Sequence, residues 1–423
     1  MPAPTPSELL QALGSGDADS QLQAVRTIKN GIIGNKGKKT AFSSAGAVPR
    51  LVEILRSATA LPDVAGGSAA GSAAQNPAVR EAVCSEVVVH AVAALGSFAF
   101  GSHDGNSAVM AAGAFPLLKR LLFSRHQKVV AAAARTIKII LEVNPPASAH
   151  VFQQDDGGNV AATAADQPHS KVPADKMAGG GGGGFICTGQ DLSTVERLVQ
   201  LIAEGQDGTA EVAASLLARA CQTREQQHAL AVAGVWEVTD CLLVSSPKGQ
   251  EAGLDLAASM VRGNAEQAGL MLRRESTNIV KLLGFVRHRR PCTRLLACTC
   301  IALAAQCGAF PLEQNQPEAS VVLHTAMKLL SSEPHKEIKE KAPSILSLLI
   351  HNNEVLQRAA ADTGLIDVLV SQGESHGASA RERNAVMGCL ECLSGNTFSK
   401  VLDLVTLHSN YTRALTFENV ERL

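Results

Sequence analysis

The chain has 423 residues with 38 Lys+Arg against 39 Asp+Glu, and its apolar content rests on 65 Ala together with Leu and Val, with only 11 Phe, 1 Trp and 1 Tyr. Ala and Leu lose little side-chain entropy in helices, whereas strands favour β-branched and aromatic residues, so an all-β sandwich or barrel is excluded. Balanced charge excludes a generally basic nucleic-acid binder, and no uninterrupted apolar run reaches the roughly 18 residues of a membrane span.

The opening, MPAPTPSELLQALGSGDADS, lacks the basic-then-apolar layout of a signal peptide. The expectation is a soluble protein of the cytoplasm and nucleus whose ten cysteines are reduced thiols.

In chain order, the first long helical stretch carries Ala24-Val-Arg-Thr-Ile-Lys29, and a near copy follows at Ala134-Arg-Thr-Ile-Lys138. Three segments share one plan: Gly46-Ala-Val-Pro-Arg-Leu-Val-Glu-Ile-Leu55, Gly113-Ala-Phe-Pro-Leu-Leu-Lys-Arg-Leu-Leu122 and Gly234-Val-Trp-Glu-Val-Thr-Asp-Cys-Leu-Leu243. Gly ends the preceding helix in a left-handed cap, and Pro49 and Pro116 sit in the first turn of the next, where no N–H is missed. Weaker copies lie at 194–202, 278–285, 323–330 and 364–370. Longer helices are predicted over 79–100, 209–224, 250–263, 293–306, 337–351 and 381–393.

Spacing supports the repeat. Glu196 to Glu237 and Glu237 to Asn278 are each 41 residues, and Leu330 to Val370 is 40. The earlier gaps, 67 from Pro49 to Pro116 and 80 from Pro116 to Glu196, each contain a low-complexity stretch. Without those stretches both approach the period of armadillo or HEAT repeats, and the Gly before the Pro helix favours armadillo. The expected fold is all-α, a right-handed superhelical armadillo solenoid with two disordered inserts. Its divisions are a first repeat region over 1–56, an insert over 57–76, repeats over 77–143, a Gly/Ala-rich insert over 144–190, repeats over 191–396 and an atypical segment over 397–423. The inserts are too poor in apolar surface to offset backbone entropy.

Little in the chain resembles an active site. The run Gly179 to Gly184 has no preceding strand and no Gly-Lys-Ser/Thr, so it is no phosphate cradle. Cys298 and Cys300 point about 200° apart on a helix and cannot share a metal. Cys389 and Cys392 share a helix face without a second pair or a His at zinc spacing. His90, His324 and His351 have no carboxylate or nucleophile at a meaningful spacing and are read as surface or core residues. No enzyme activity, cofactor, metal or small-molecule substrate is expected.

Binding candidates are cationic. Arg26, Lys29 and Asn30 on the first long helix, and Arg135 and Lys138 on the third, fall on the face that an armadillo groove would present. Arg287, Arg289 and Arg290 form a dense basic cluster at a helix C-terminus, where cations complement the dipole. Such surfaces suit an acidic partner segment. The single Trp236 lies on a second helix and not on a rung, which tells against a groove of the importin type.

Three stretches carry a more specific likeness: Ile28-Lys-Asn-Gly-Ile-Ile-Gly-Asn35 with the Lys-rich turn leading to Gly46-Ala-Val-Pro-Arg-Leu51, then Leu95-Gly-Ser-Phe-Ala-Phe-Gly101, then Asn353-Glu-Val-Leu-Gln-Arg-Ala359. They resemble the armadillo-repeat-containing protein eight family, the armadillo scaffold subunits of GID/CTLH ubiquitin ligases, over about the first 370 residues. The resemblance implies a non-catalytic subunit whose first repeats dock ligase core subunits. The two inserts and the segment after the last matched repeat depart from the family pattern. A generic armadillo adaptor for acidic peptides in signalling, adhesion or transport is the alternative.

Overall fold

The computed structural model describes residues 5–15, 17–60, 77–153, 192–205, 208–332, 335–375 and 377–407. Among these all regular structure is helical, in two compact units, Met1–Leu198 and Val199–Leu423.

The first unit runs α1 (Pro6–Leu13), α2 (Ala18–Ile32), α3 (Lys36–Ser44), α4 (Ala47–Ala60), α5 (Pro77–Ala99), α6 (His103–Ala111), α7 (Ala114–Leu121) and α8 (Gln127–Val143), then a 3-10 turn (Pro145–Ser148) and α9 (Ala149–Phe152). The boundary between the units falls within α10 (Thr194–Glu204). Starts are set by local chemistry. Thr5 and Glu8 close a capping box on α1, and Asp17, Asn35 and Ser102 accept from the third N–H of α2, α3 and α6. Gly46 and Gly113 lie at φ 87° and 75°, the left-handed cap that the sequence predicted between short helices.

The long helices α2, α5 and α8 pack in succession. Val25, Ile28 and Ile32 face Ala91, Val92, Leu95 and Phe98, and Ala133, Ile137 and Ile140 complete the interior, all buried. Each buried Leu, Ile or Val stabilises by about 1.5–3 kcal/mol, and the Ala positions let the axes approach. Thr136 Oγ1 donates to Val92 O at 3.0 Å, and a Cβ on Gly96 would stand 2.9 Å from that hydroxyl, so close approach fixes the glycine.

The second unit continues α11 (Thr209–Ala220), α12 (Arg224–Val232), α13 (Val235–Leu243), α14 (Pro247–Val261), α15 (Ala265–Arg273), α16 (Ile279–Val286), α17 (Pro291–Gln306), α18 (Gln316–Ser332), α19 (Lys336–Ile350), α20 (Glu354–Asp362), α21 (Leu365–Glu374) and α22 (Ala380–Leu407). Its long helices α11, α14, α17, α19 and α22 pack in order along the unit. Between α17 and α18 an irregular connection replaces the short first helix of the repeat.

One side chain recurs as an interlock. Four residues past the N-cap of a first helix, a donor reaches a backbone carbonyl in or just past the next repeat's long helix. Lys39 Nζ donates to Phe100 O at 2.8 Å and Asn106 Nδ2 to Ile140 O at 3.0 Å. Gln227 Nε2 donates to Ser259 O and Arg262 O at 3.0 and 2.9 Å, and Gln357 Nε2 to Cys392 O at 3.1 Å. Phe100, Ser259 and Arg262 lie in the last turn of their helices or just past it, where carbonyls lack an i+4 donor, so these bonds satisfy groups that burial would otherwise leave orphaned. Ile140 O also accepts from Asn144 N, and Cys392 lies within α22.

The expected divisions need adjustment where residues are described. Helix α4 continues through Ala60, past the boundary placed at 57, because the Ser/Thr/Ala tail still propagates a helix already nucleated. Residues 145–152, assigned to the second insert, form the 3-10 turn and α9, with Ala147 and Val151 buried. They dock on α7: Lys119 Nζ donates to Gln153 O at 2.8 Å, and the Phe115 and His150 ring centroids lie 5.6 Å apart. Helix α22 runs unbroken past 396 to Leu407. The rest of both inserts, and the end of the chain, lie outside the described residues.

Candidate protein-binding face

On α2 the core stripe is Val25, Ile28 and Ile32, so Arg26 and Asn30, one turn apart, point away from it and are exposed, with Lys29 half-buried beside them. Helix α5 brings Glu86 and His90 against this pair. Arg26 Nη2 lies 2.6 Å from Glu86 Oε2, and Arg26 Nε donates to His90 Nε2 at 3.0 Å. Lys29 Nζ stands 3.3 Å from His90 Nδ1.

Burial pushes the His90 pKa below its ordinary value, with Lys29 and Arg26 adding to the effect and Glu86 opposing it. The neutral ring accepts at one nitrogen only. With Nε2 accepting from Arg26, Nδ1 carries the proton and meets the Lys29 ammonium donor to donor. Two cations and one carboxylate thus leave the group net positive, with one cation incompletely satisfied. The Arg26–Glu86 pair is nearly half exposed on both sides, so it holds the helices together only weakly.

The other predicted cations do not join this group. Arg135 occupies the same motif position on α8, beyond α5; it is exposed and makes no ion pair among the described residues. Lys138 pairs with Glu142 one turn along its own helix at 3.8 Å.

In the second unit the Arg287–Arg290 cluster divides. Arg287 and Arg289 are exposed, whereas Arg290, at the N-cap position of α17, turns its side chain onto α14. Its Nε and Nη2 grip the two Glu251 oxygens at 2.9 and 3.1 Å, and Thr293 Oγ1 adds a donor to Oε1 at 3.3 Å. The Glu251 side chain is only 19% exposed and requires a partner there, so Arg290 is a clip between repeats as well as a member of the basic surface.

Arg219–Asp255 at 3.3 Å, and Arg274 with Asp240 at 2.9 Å and Glu237 at 3.3 Å, are clips that the sequence reading missed. Their partners stand 34 to 37 residues apart, close to one repeat, and that spacing of opposite charges is the signal that could have found them. His90 and Glu86 were also missed as partners of Arg26. There the first insert stretches the separation to 64 and 60 residues.

Several buried thiols are held protonated. Burial pushes Cys221, Cys298 and Cys389 up to about 12 and raises Cys300 further. The sulfurs of Cys221, Cys298 and Cys300 lie against helix carbonyls, as Cys300 Sγ does on Leu254 O at 3.4 Å. Cys392 Sγ is 3.9 Å from His351 Nδ1, a contact between α22 and the end of α19 that sequence spacing did not show, and burial raises its pKa too. A thiol shifted in this direction is a poor nucleophile. Trp236 is buried on α13, its Nε1 donating to Gln267 Oε1 at 2.8 Å, and it lines no rung. Among the described residues no three His, Cys, Asp or Glu side chains gather as a metal site, and no helix is long and apolar enough to cross a membrane.

No protein-family model matches this chain. Over 89 residues it is 33% identical to GID complex subunit 5 of Schizosaccharomyces pombe, a stretch covering 21% of this chain and 11% of that protein. Among solved structures it is similar to an engineered protein, with TM-score 0.56 and 20% identity over 94% of this chain and 81% of the other. It is also similar to a designed armadillo repeat protein, with TM-score 0.50 and 19% identity over 71% of this chain and 99% of the other. Identities this low speak to the fold alone, and the fold is an all-α stack of armadillo repeats.

Proposed function

We propose that this chain is a non-catalytic scaffold subunit of a GID/CTLH-type ubiquitin ligase, joining other subunits through its armadillo repeats. The observation that carries the reading is the 33% identity to GID complex subunit 5. The likeness of Ile28–Leu51, Leu95–Gly101 and Asn353–Ala359 to the armadillo-repeat-containing protein eight family supports it. The repeat stack suits the role, because a quasi-one-dimensional array offers a long row of side chains without needing a cavity. Protonated thiols and clipped cations are chemistry for holding surfaces together. Ligase core subunits are the proposed partners, and the cytoplasm and nucleus the proposed location.

The experiment is affinity capture of the tagged full chain from its own cells, with identification of what co-purifies. RING-type ligase core subunits in stoichiometric amount are the expected result, and their complete absence overturns the reading. A generic adaptor for acidic peptides is favoured by one observation, the net positive group at Arg26, Lys29 and His90. Under that reading, reversing charge at Arg26 and Arg135 abolishes partner capture.

A further inference from the structure

Four long helices each end in a corner of the same backbone form. After α2 come Ile33, Gly34 at φ 70° and Asn35 as the next N-cap; after α5 come Phe100, Gly101 at φ 66° and Ser102. After α14 the order is Arg262, Gly263 at φ 65° and Asn264, and after α19 it is His351, Asn352 at φ 57° and Asn353. The left-handed residue turns the backbone sharply, and the side chain just before it is exposed in all four. Water favours a polar residue at such a corner, and the second unit supplies Arg262 and His351. The first unit instead displays Ile33 at 60% and Phe100 at 63% exposure.

Charge singles out the same edge. Between residues 20 and 52 the chain has six Lys or Arg and no Asp or Glu. Lys36 and Lys38, on the helix that leaves the first corner, are exposed and make no ion pair among the described residues. Lys39 Nζ donates to Phe100 O at 2.8 Å, which holds α3 against the second corner, and Lys36 and Lys38 follow Ile33 in the chain by three and five residues. Asp104, in the first turn of α6, pairs with none of them.

We propose that this edge of the first unit, Ile33 and Phe100 flanked by Lys36 and Lys38, docks an acidic segment of a partner protein that carries apolar anchors. The inference rests on the protein-binding reading above and names the chemistry of one partner surface. Apolar anchors supply burial, and the unpaired ammonium groups supply attraction and select against basic segments. Two separate corners, one repeat apart, fit side chains along a peptide better than a lipid surface, which asks for a continuous apolar patch.

The test titrates the full chain into a fluorescein-labelled synthetic peptide of alternating Glu with Leu and Phe, followed by anisotropy. Saturable binding is expected, weakened about tenfold or more by Ile33→Ser with Phe100→Ser. Lys36→Ser with Lys38→Ser weakens it about threefold and flattens its salt dependence. Arg262→Ser with His351→Ser, altering the polar corners, leaves it unchanged. All these positions are exposed, so the variants fold. Equal binding by the Ile33/Phe100 variant overturns the proposal. So does retention on phosphatidylserine vesicles in place of peptide, self-association lost in that variant, or peptide binding that appears only when residues 154–191 are deleted. Ligase co-purification with corner-independent peptide binding removes this inference alone; corner-dependent binding without ligase subunits removes the ligase reading alone.

Discussion

The cations singled out in the two units differ in how completely a neighbouring repeat neutralises them. In the second, Arg219, Arg274 and Arg290 each meet a carboxylate from a neighbouring repeat, and their charge is closed within the fold. In the first, Arg26 meets Glu86, yet Lys29 faces only a neutral ring, and Arg135, Lys36 and Lys38 are left unpaired among the described residues. The difference shows that cationic content alone does not say whether charge stays open at the surface of a repeat protein. What decides it is whether the preceding or following repeat supplies an anion at the matching register.

The sharpest way to test that contrast is through reactivity. With burial pushing their pKa values up to about 12 against an ordinary 9.0, Cys221, Cys298 and Cys389 hold far less thiolate than an unperturbed cysteine. Iodoacetamide is expected to label the exposed Cys84 and Cys241 in the native chain and these three only on unfolding. Rapid native labelling of all of them would show that the second unit's interior is not closed.

Next comes the interlock. Gln227→Leu removes two donated bonds and the one accepted from Asn264 at 2.8 Å, and should cost about 2–3 kcal/mol in urea unfolding. Lys39→Met removes one exposed bond and should cost under about 1 kcal/mol. Equal losses would erase the distinction between a buried and an exposed interlock.

Ion pairs rank below these. Glu251→Ala leaves Arg290 without its two-point partner and is expected to cost about 1–2 kcal/mol, whereas Glu86→Ala should change stability by less than about 0.5 kcal/mol. Thermal unfolding of both variants decides the order.

The smallest effect is titration of His90. Its folded pKa is depressed below 6.5, so between the two values the unfolded chain binds more protons. Its contribution to stability is complete above pH 6.5 and declines as pH falls toward the folded pKa. An NMR titration should place the His90 midpoint below 6.5, and Glu86→Gln should lower it further, since Glu86 opposes the depression. A midpoint above 6.5 would mean that an anion already balances Arg26 and Lys29.

Much of the fold was legible because its signals are local. Gly46, Gly113, Gly234 and Gly364 lie in the left-handed region, as their place before apolar runs implied, and the spacing of about 41 residues located the long helices. Helix α9 was hidden because four residues after Pro145-Pro146 carry no readable period, and only contact with Lys119 and Phe115 shows why they are helical. The site was less legible. Arg26 and Lys29 stood out by type, but their partners come from the next rung, across an insert that conceals the register. Arg290 looked like part of an open cluster because its partner Glu251 lies 39 residues earlier. The corner residues Ile33 and Phe100 each read as one more apolar residue at a helix end, and their exposure depends on the φ of the residue that follows.

The interlocking donor also bears on how the chain comes to be folded during its synthesis. Gln227 can make its bonds only after Ser259 and Arg262 have left the ribosome, and Asn106 must wait for Ile140. Each repeat is therefore completed by its successor, and folding follows translation one repeat behind. At Lys39 the wait extends to Phe100, 61 residues on, where Asn106 needs 34. By loop-closure entropy that extension costs roughly 0.5 kcal/mol. An insertion between α4 and α5 thus delays the closing of its repeat without preventing it, which explains how an array held together by successor contacts tolerates such additions.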